Sequence, residues 1–373
     1  MIDRRVRVEG PVGAPVLVLA NSLGTTATMW DAQMPVLRQR FRVVRYEHRG
    51  HGRSPAPAGP YTMADLGADL LGVMDEAGVE RASITGLSLG GMAAMWVAAH
   101  HPERVERLAL CCTAPALPPA QAWHDRAAQV RSEGTAGLLD GALGRWFTSG
   151  YLDTHPGVRA AVAAMLGEAD PEGYAGCCEA IAGMNQWADL DRITAPTLVL
   201  AGADDPVTSP AVALEMQQAI GGAALVVIAA ASHLAPVEAP HRVTEALVSH
   251  LSGTVAERGE AARRAVLGDA YVERSAASTS QFAATFTDYI TRAVWAELWT
   301  RPGLDRRTRS AVTLALLGGL GRLDELALHV ERAGTNGLSE DEVAEILLHV
   351  AAYAGVPAAN SAFTVAARIF DAG

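Results

Sequence analysis

A change of hydrophobic period near Leu251 constrains this chain more than any other feature. Before it, short β-branched runs at Val16–Ala20, Arg42–Tyr46, Ala82–Gly86, Leu108–Cys112, Thr197–Ala201 and Leu225–Ile228 alternate with helical stretches such as Met63–Glu76, Met92–His100 and Ala211–Ile220. Such alternation predicts a mostly parallel sheet covered by helices. Between Pro115 and Ile193 the strand pattern gives way to a helical one, as an inserted cap requires. After Leu251, Arg263–Leu267, Phe282–Leu298, Arg307–Leu317, Leu323–Ala333, Glu340–Tyr353 and Ala358–Phe370 read as helices separated by Gly- or Pro-containing breaks. At 373 residues the chain exceeds the length at which one hydrophobic core suffices. The expectation is an α/β domain over 1–253, with a cap at about 115–193, and an all-α domain over 254–373.

Composition narrows the function. A net charge of −11 gives no basic footprint for nucleic acid or an anionic membrane. All 30 basic residues are Arg, which removes Schiff-base chemistry and a P-loop lysine; an anionic substrate must be held by Arg, His or backbone N–H. The cysteines fall in two adjacent pairs, Cys111-Cys112 and Cys177-Cys178, a spacing that suits neither a zinc site nor a relaxed disulfide, so reduced thiols are expected. Met1–Arg5 opens on charge without an apolar targeting segment, and no apolar run reaches the roughly 18 residues of a membrane span. A cytoplasmic protein is expected.

The strand Ala82–Gly86 runs directly into Gly86-Leu87-Ser88-Leu89-Gly90-Gly91 and then into helix. A serine raised on such a turn needs glycine neighbours, because side chains there would collide. Its hydroxyl becomes nucleophilic only beside a base that a carboxylate orients. Thr197–Ala201 ends in Gly202-Ala203-Asp204-Asp205, and Leu225–Ile228 is followed by His233 and then Glu238-Ala239-Pro240. Ser, Asp and His stand in the chain order of the α/β-hydrolase triad.

On Asn21-Ser22-Leu23-Gly24 after the third strand, Arg49-Gly50-His51-Gly52-Arg53-Ser54, Gly86–Gly91, and His233 with Glu238-Ala239-Pro240, residues 4–252 resemble the α/β-hydrolases and, within them, the 3-oxoadipate enol-lactonases. The resemblance implies Ser88 as nucleophile, His233 as base and, through its G-x-x-D pattern, Asp205 rather than Asp204 as the acid. It implies an oxyanion hole from the backbone N–H groups of Leu23 and Leu89. For Asn21, a bond to its own loop backbone competes with a direct role. His48 and His51 read as structural, and His100 and His101 as helix-closing residues.

In the second part, Ser339 with Glu340-Asp341-Glu342 reads as a helix start. Leu323, Leu326 and Val330 form an apolar stripe with Arg322, Glu325 and His329 beside it. Glu325, four residues before His329, can hold the ring and raise its pKa, or can form an ordinary solvated helix pair. Arg263-Arg264-Ala265-Val266-Leu267-Gly268, Arg306–Arg309 and the run from Gly337 through His349, Tyr353 and Asn360 resemble the carboxymuconolactone decarboxylases. Alkylhydroperoxidase-like members of that superfamily carry C-x-x-C-x-x-x-H on this helix; here Arg322 and Glu325 stand at the cysteine positions, which excludes thiol peroxidase chemistry.

Together the resemblances imply a bifunctional enzyme of the β-ketoadipate pathway, with lactones of di- and tricarboxylic acids as substrates, and a homo-oligomer assembled through the second domain. They imply His329 with Glu325 as proton donor and Arg309 or Arg322 as carboxylate ligand, with His349 and Tyr353 as further candidates. No cofactor or metal is expected, because the unsaturated lactone is its own electron sink. Cap residues Trp123, Arg126, Trp146 and Trp187 are available to hold substrate. The alternative is a carboxylesterase or C–C hydrolase with a non-catalytic helical tail.

Overall fold

The computed structural model describes residues 6–301 and 303–371; the stretch Met1–Arg5, read above for targeting, lies outside them. The chain divides into two compact units between Leu251 and Ser252. None of the described helices is long and apolar enough to cross a membrane.

Among the described residues, unit 1 is built on seven strands: β1 Arg7–Glu9, β2 Val16–Ala20, β3 Arg42–Arg45, β4 Ala82–Leu87, β5 Val105–Cys111, β6 Thr197–Gly202 and β7 Ala224–Ile228. Their order is β1-β3-β2-β4-β5-β6-β7, with β1 antiparallel to β3 and every other pair parallel. All residues of β4 and β6 are buried, and a parallel strand covered on both faces has no solvent side, which explains the apolar run Leu198–Ala201 of β6; β4 carries only the small hydroxyls of Ser83 and Thr85 among its apolar residues. β1 was not expected, since three residues of mixed polarity on a sheet edge leave almost no pattern. It is the one described strand before β2, so the Asn21–Gly24 loop follows the second strand of this chain and not the third.

α2 Met63–Glu76, α3 Leu89–His100 and α9 Pro210–Ala219, the last between β6 and β7, lie close to the expected stretches, whereas the one-turn helix α1 Met34–Leu37 was not expected. Helices α4 Ala120–Glu133, α5 Leu139–Trp146, α6 Ser149–Thr154, α7 Val158–Gly167 and α8 Pro171–Ala182 form the cap between β5 and β6. α10 Ala235–Glu238 and α11 Pro240–Leu251 complete the unit. α3 is apolar all round because it is covered all round; ten of its twelve residues are buried.

The described elements of unit 2 are all helical: α12 Val255–Leu267, α13 Asp269–Ser278, α14 Gln281–Ile290, a π-helical stretch Thr291–Trp299, α15 Arg306–Gly319, α16 Leu323–Glu331, α17 Glu340–Ala354 and α18 Val356–Phe370. The single helix expected over Phe282–Leu298 is thus two windings, and α13 was missed because Val272 is its one buried residue. Thr254 with Glu257 and Ser339 with Glu342 close reciprocal capping boxes that satisfy orphan N–H groups at the starts of α12 and α17. One core gathers Leu314, Leu326, Val330, Val343, Leu347 and Ala362; a smaller one joins Val266, Leu267, Val272 and Trp295.

Candidate active site

β4 delivers Ser88 to the head of α3 with φ 52° and ψ −115°, a conformation that a residue with a Cβ adopts only when its surroundings impose it. The glycines around it are steric necessities. A Cβ on Gly86 would lie 2.3 Å from the Gly90 carbonyl oxygen, one on Gly90 2.4 Å from the Ala20 oxygen, and one on Gly91 2.7 Å from Thr113 Cβ. The turn is held from below by the Ser88 N–H donating to the Cys111 carbonyl at 3.0 Å and by Thr113 Oγ1 donating to the Ser88 carbonyl at 2.8 Å.

Loops beyond β6 and β7 bring Asp205 to His233. The His233 Nδ1–H meets Asp205 Oδ2 at 2.8 Å with both side chains buried. Asp205 Oδ1 accepts from the N–H groups of Val207 and Thr208 at 2.8 and 3.0 Å, and Oδ2 accepts from Thr208 Oγ1 at 2.7 Å. Burial pushes the Asp205 pKa up, but the bond and charge of His233 and the Thr208 donors outweigh it and hold the carboxyl below its usual range. Asp204 is exposed and makes no such contact among the described residues. Cys112 lies near this carboxylate; burial first, then the charge of Asp205, drives its thiol pKa well up, so it is inert.

Leu23 and Leu89 bracket the nucleophile. The Gly90 N–H donates to the Asn21 carbonyl at 2.9 Å, which ties the Asn21–Gly24 loop to the start of α3. Neighbouring amides of Ser22 and Gly24 have acceptors, whereas among the described residues none takes the N–H of Leu23 or of Leu89, the latter an orphan donor of the first helical turn. Asn21 takes neither role considered for it: its Nδ2 donates to the Tyr46 carbonyl at 2.8 Å and to Glu47 Oε2 at 3.2 Å. His48 Nε2 lies 3.0 Å from the Asn21 carbonyl, and His51 Nε2 accepts the Gly24 N–H at 2.9 Å. Desolvation lowers both imidazole pKa values to about 4, so these rings are neutral struts of the loop.

A cavity joins these groups to the cap. Ser22, Leu23, Ser88 and His233 form its floor, and Trp123, Arg126, Arg145, Trp146 and Tyr174 are among its cap-side walls. Trp187 is not part of that lining; it packs beneath α3 instead. Arg126 lies over the Trp123 ring at 4.8 Å. Neither Arg126 nor Arg145 has an acidic partner among the described residues, and desolvation, then the charge of Arg126, lowers the Arg145 pKa. Arg145 was missed because an arginine on an amphipathic cap helix reads as solvent-facing.

In unit 2 the structure separates the expected pair. His329 is only 9% exposed, its ring stacked on Trp299 with centroids 6.5 Å apart, while Glu325 is exposed and no ion pair between them occurs among the described residues. Burial lowers the His329 pKa, the opposite of the shift Glu325 was expected to cause. Helical spacing makes neighbours of two Cβ atoms without fixing where the side chains turn, and the aromatic wall draws the imidazole inward. Arg309 is tied to backbone, donating to the carbonyls of Leu304 and Arg301 at 3.2 and 2.8 Å. Arg322, His349 and Tyr353 are exposed, the last two stacked on each other. The buried guanidinium is Arg263, 6% exposed, which donates to Ser275 Oγ at 2.9 Å and has no acidic partner among the described residues. Its motif was visible in the sequence, but two adjacent arginines gave no indication of which one is buried.

Comparison with known proteins gives matches for both units. Residues 15–143 match the α/β-hydrolase fold family and residues 284–368 the carboxymuconolactone decarboxylase family. The chain is 37% identical over 238 residues to 3-oxoadipate enol-lactonase 2 of Acinetobacter baylyi, covering 64% of this chain and 89% of that protein. It is 44% identical over 114 residues to the 4-carboxymuconolactone decarboxylase of the same organism, covering 31% of this chain and 85% of that one. The crystal structure of the enol-lactonase from Burkholderia xenovorans superposes with a TM-score of 0.65 at 41% identity, covering 66% of this chain and 96% of the other.

Proposed function

Because the chain belongs to the enol-lactonases of the α/β-hydrolase fold in unit 1 and to the carboxymuconolactone decarboxylase family in unit 2, we propose that it carries out two consecutive steps of the β-ketoadipate pathway: 4-carboxymuconolactone is decarboxylated to 3-oxoadipate enol-lactone, which is then hydrolysed to 3-oxoadipate. The observation that carries this is the presence of both families in one chain, each over most of a relative's length.

In the hydrolytic step Ser88 Oγ attacks the lactone carbonyl as His233 takes its proton, and the Leu23 and Leu89 amides bind the resulting oxyanion. Collapse breaks the ring C–O bond; the leaving enolate is protonated and becomes a ketone still tethered to the acyl group. Water activated by His233 then attacks the acyl-enzyme, releasing Ser88 and a second carboxylate. Arg126 and Arg145, two cations facing one cavity without an acid, hold the free carboxylate of the lactone and later of the product. Asp205 keeps His233 in the tautomer whose Nε2 is available to Ser88.

In the decarboxylation, the bond from the ring γ-carbon to its carboxylate breaks with loss of carbon dioxide, its electrons delocalise through the double bond onto the lactone carbonyl oxygen, and the resulting dienolate takes a proton at the α-carbon. His329 supplies that proton and Arg263 receives an anionic group of the substrate, which replaces the roles first considered for Glu325, Arg309 and Arg322. Burial lowers the His329 pKa, so the ring takes its proton from solvent as the negative charge of the bound substrate raises its affinity for one, and it gives that proton up readily once carbon dioxide has left. The exposed faces Phe282, Phe286, Tyr289 and Val312, Leu316, Leu320 support self-association through unit 2, measurable by light scattering. Four unpaired buried thiols favour a cytoplasmic location.

Incubating the whole chain with 4-carboxymuconolactone and following carbon dioxide and 3-oxoadipate by NMR tests both steps. Stoichiometric formation of both products is expected. Release of carbon dioxide with accumulation of enol-lactone would refute the hydrolase assignment, and an unreacted substrate would refute the decarboxylase assignment.

A further inference from the structure

Glu238, in the motif that follows His233, has no part in the chemistry above, yet its carboxylate spans two separate pieces of unit 1. Oε1 accepts from the Thr148 N–H at 2.9 Å and from Thr148 Oγ1, at the N-terminus of cap helix α6; Oε2 accepts from the Ser232 N–H at 2.7 Å, the residue before His233. Further bonds run between the same two segments. Ser232 Oγ donates to the Arg145 carbonyl at 2.9 Å, the Leu234 N–H donates to the Trp146 carbonyl at 2.9 Å, and Tyr151 OH donates to the Val237 carbonyl at 3.2 Å. His233 is therefore flanked on both sides by residues bonded to the stretch 145–148, and Arg145 and Trp146 of that stretch line the cavity.

We propose that Glu238 is a positioning residue: it clamps the His233 loop to the cap segment Arg145–Thr148, so that the wall touching the substrate and the imidazole serving Ser88 are held as one piece. This rests on the hydrolase reading of unit 1. A carboxylate suits the task because each oxygen accepts from a different segment, and charge-assisted bonds to backbone N–H are short and strong. Glutamine keeps one acceptor oxygen and loses the other, whereas alanine loses both.

The test compares Glu238→Ala, Glu238→Gln and the parent in the full chain, at a temperature where circular dichroism shows each folded. Rates on p-nitrophenyl acetate are normalised to active serines counted by a fluorophosphonate probe. A misplaced base costs roughly 10–100-fold in turnover for about 1 Å of displacement. The expected result is a kcat loss of that size for Glu238→Ala, a smaller one for Glu238→Gln, and an altered acid limb of kcat/KM against pH. Active-site-normalised kcat within about twofold of the parent in both variants would overturn the clamp, whatever their Tm, because a role confined to stability lowers the folded fraction and not the turnover of folded molecules. The simple ester reports the clamp independently of substrate identity, so failure of the parent on enol-lactone would count against the proposed function and not against Glu238.

Discussion

Replacing Gly90 with alanine isolates the oxyanion loop without touching any group that carries a proton. The new Cβ would sit 2.4 Å from the Ala20 oxygen and 2.6 Å from the Asn21 oxygen, both backbone atoms that cannot rotate aside. Restoring an ordinary van der Waals separation requires a retreat of roughly 1 Å. That retreat breaks the Gly90 N–H bond to the Asn21 carbonyl and carries the Leu23 amide away from the position of the developing oxyanion. Loss of one such donor costs about 10²–10³ in kcat, while the overpacking itself costs about 1–3 kcal/mol of stability. The assay is steady-state hydrolysis of enol-lactone and of p-nitrophenyl acetate, with chemical denaturation to show that the variant is folded and phosphonate labelling to show that Ser88 remains accessible. The expected variant labels with phosphonate and turns over both esters at least about 50-fold more slowly. A folded Gly90→Ala protein with kcat within about threefold of the parent would refute the assignment of the Leu23 amide to the oxyanion hole, since the clash leaves that loop nowhere else to go.

Other perturbations separate the remaining roles. His329→Ala is expected to abolish decarboxylation while enol-lactone hydrolysis persists; decarboxylation at the parent rate removes His329 from the mechanism. Arg126→Ala and Arg145→Ala are expected each to raise KM for the lactone about 10-fold or more with little change on an uncharged ester, and equal losses on both esters would argue against carboxylate binding. Because the pKa of free His329 lies below 6.5, kcat/KM for decarboxylation should fall with rising pH on a limb below that value, and a limb above pH 7 would contradict His329 as the acid. His48 and His51 carry folded pKa values of about 4 against 6.5 unfolded, so the unfolded chain binds more protons between those values and stability drops as pH falls through that window. Glu47, raised to about 7 chiefly by desolvation, acts in the opposite sense, its contribution being lost as pH rises from 4.5 to 7. Two histidines outweigh one glutamate, and His51→Gln should flatten the decline measured by urea unfolding between pH 6.5 and 4; an unchanged slope would show that His51 is not held neutral.

The two units differ in how much of their chemistry the sequence displays, and the cause is geometric. Ser88, Asp205 and His233 stand at strand ends, where the backbone itself sets direction, and the turn at Ser88 admits only glycine at Gly86 and Gly90. A constraint that strict leaves a short motif in the chain. The groups around the triad leave weaker traces. Glu47, His48 and His51 brace the oxyanion loop across more than twenty residues, and Arg145 meets the cavity only because the cap folds back over Ser88 and His233. Nothing local to Arg145 distinguishes it from a solvent-facing arginine.

On helices the information is of another kind. A 3.6-residue period says which Cβ atoms share a face, and on that basis Glu325 and His329 were neighbours; it does not say that the ring turns under Trp299 while the carboxylate stays in water. Trp299 lies thirty residues earlier in the chain, on a π-helical stretch whose winding departs from the period by which the sequence was read. Arg263 lies on α12, whose Val266 and Leu267 share the small core with Trp295 of that stretch, and its side-chain bond goes to Ser275 on α13. The decarboxylase site is therefore set by which side chains the helices bury together, a property of packing and not of spacing. Substitutions at buried Arg263 and His329 should consequently affect catalysis far more than substitutions at the exposed Arg322, Glu325, His349 and Tyr353, although the sequence pattern alone ranks most of them the other way.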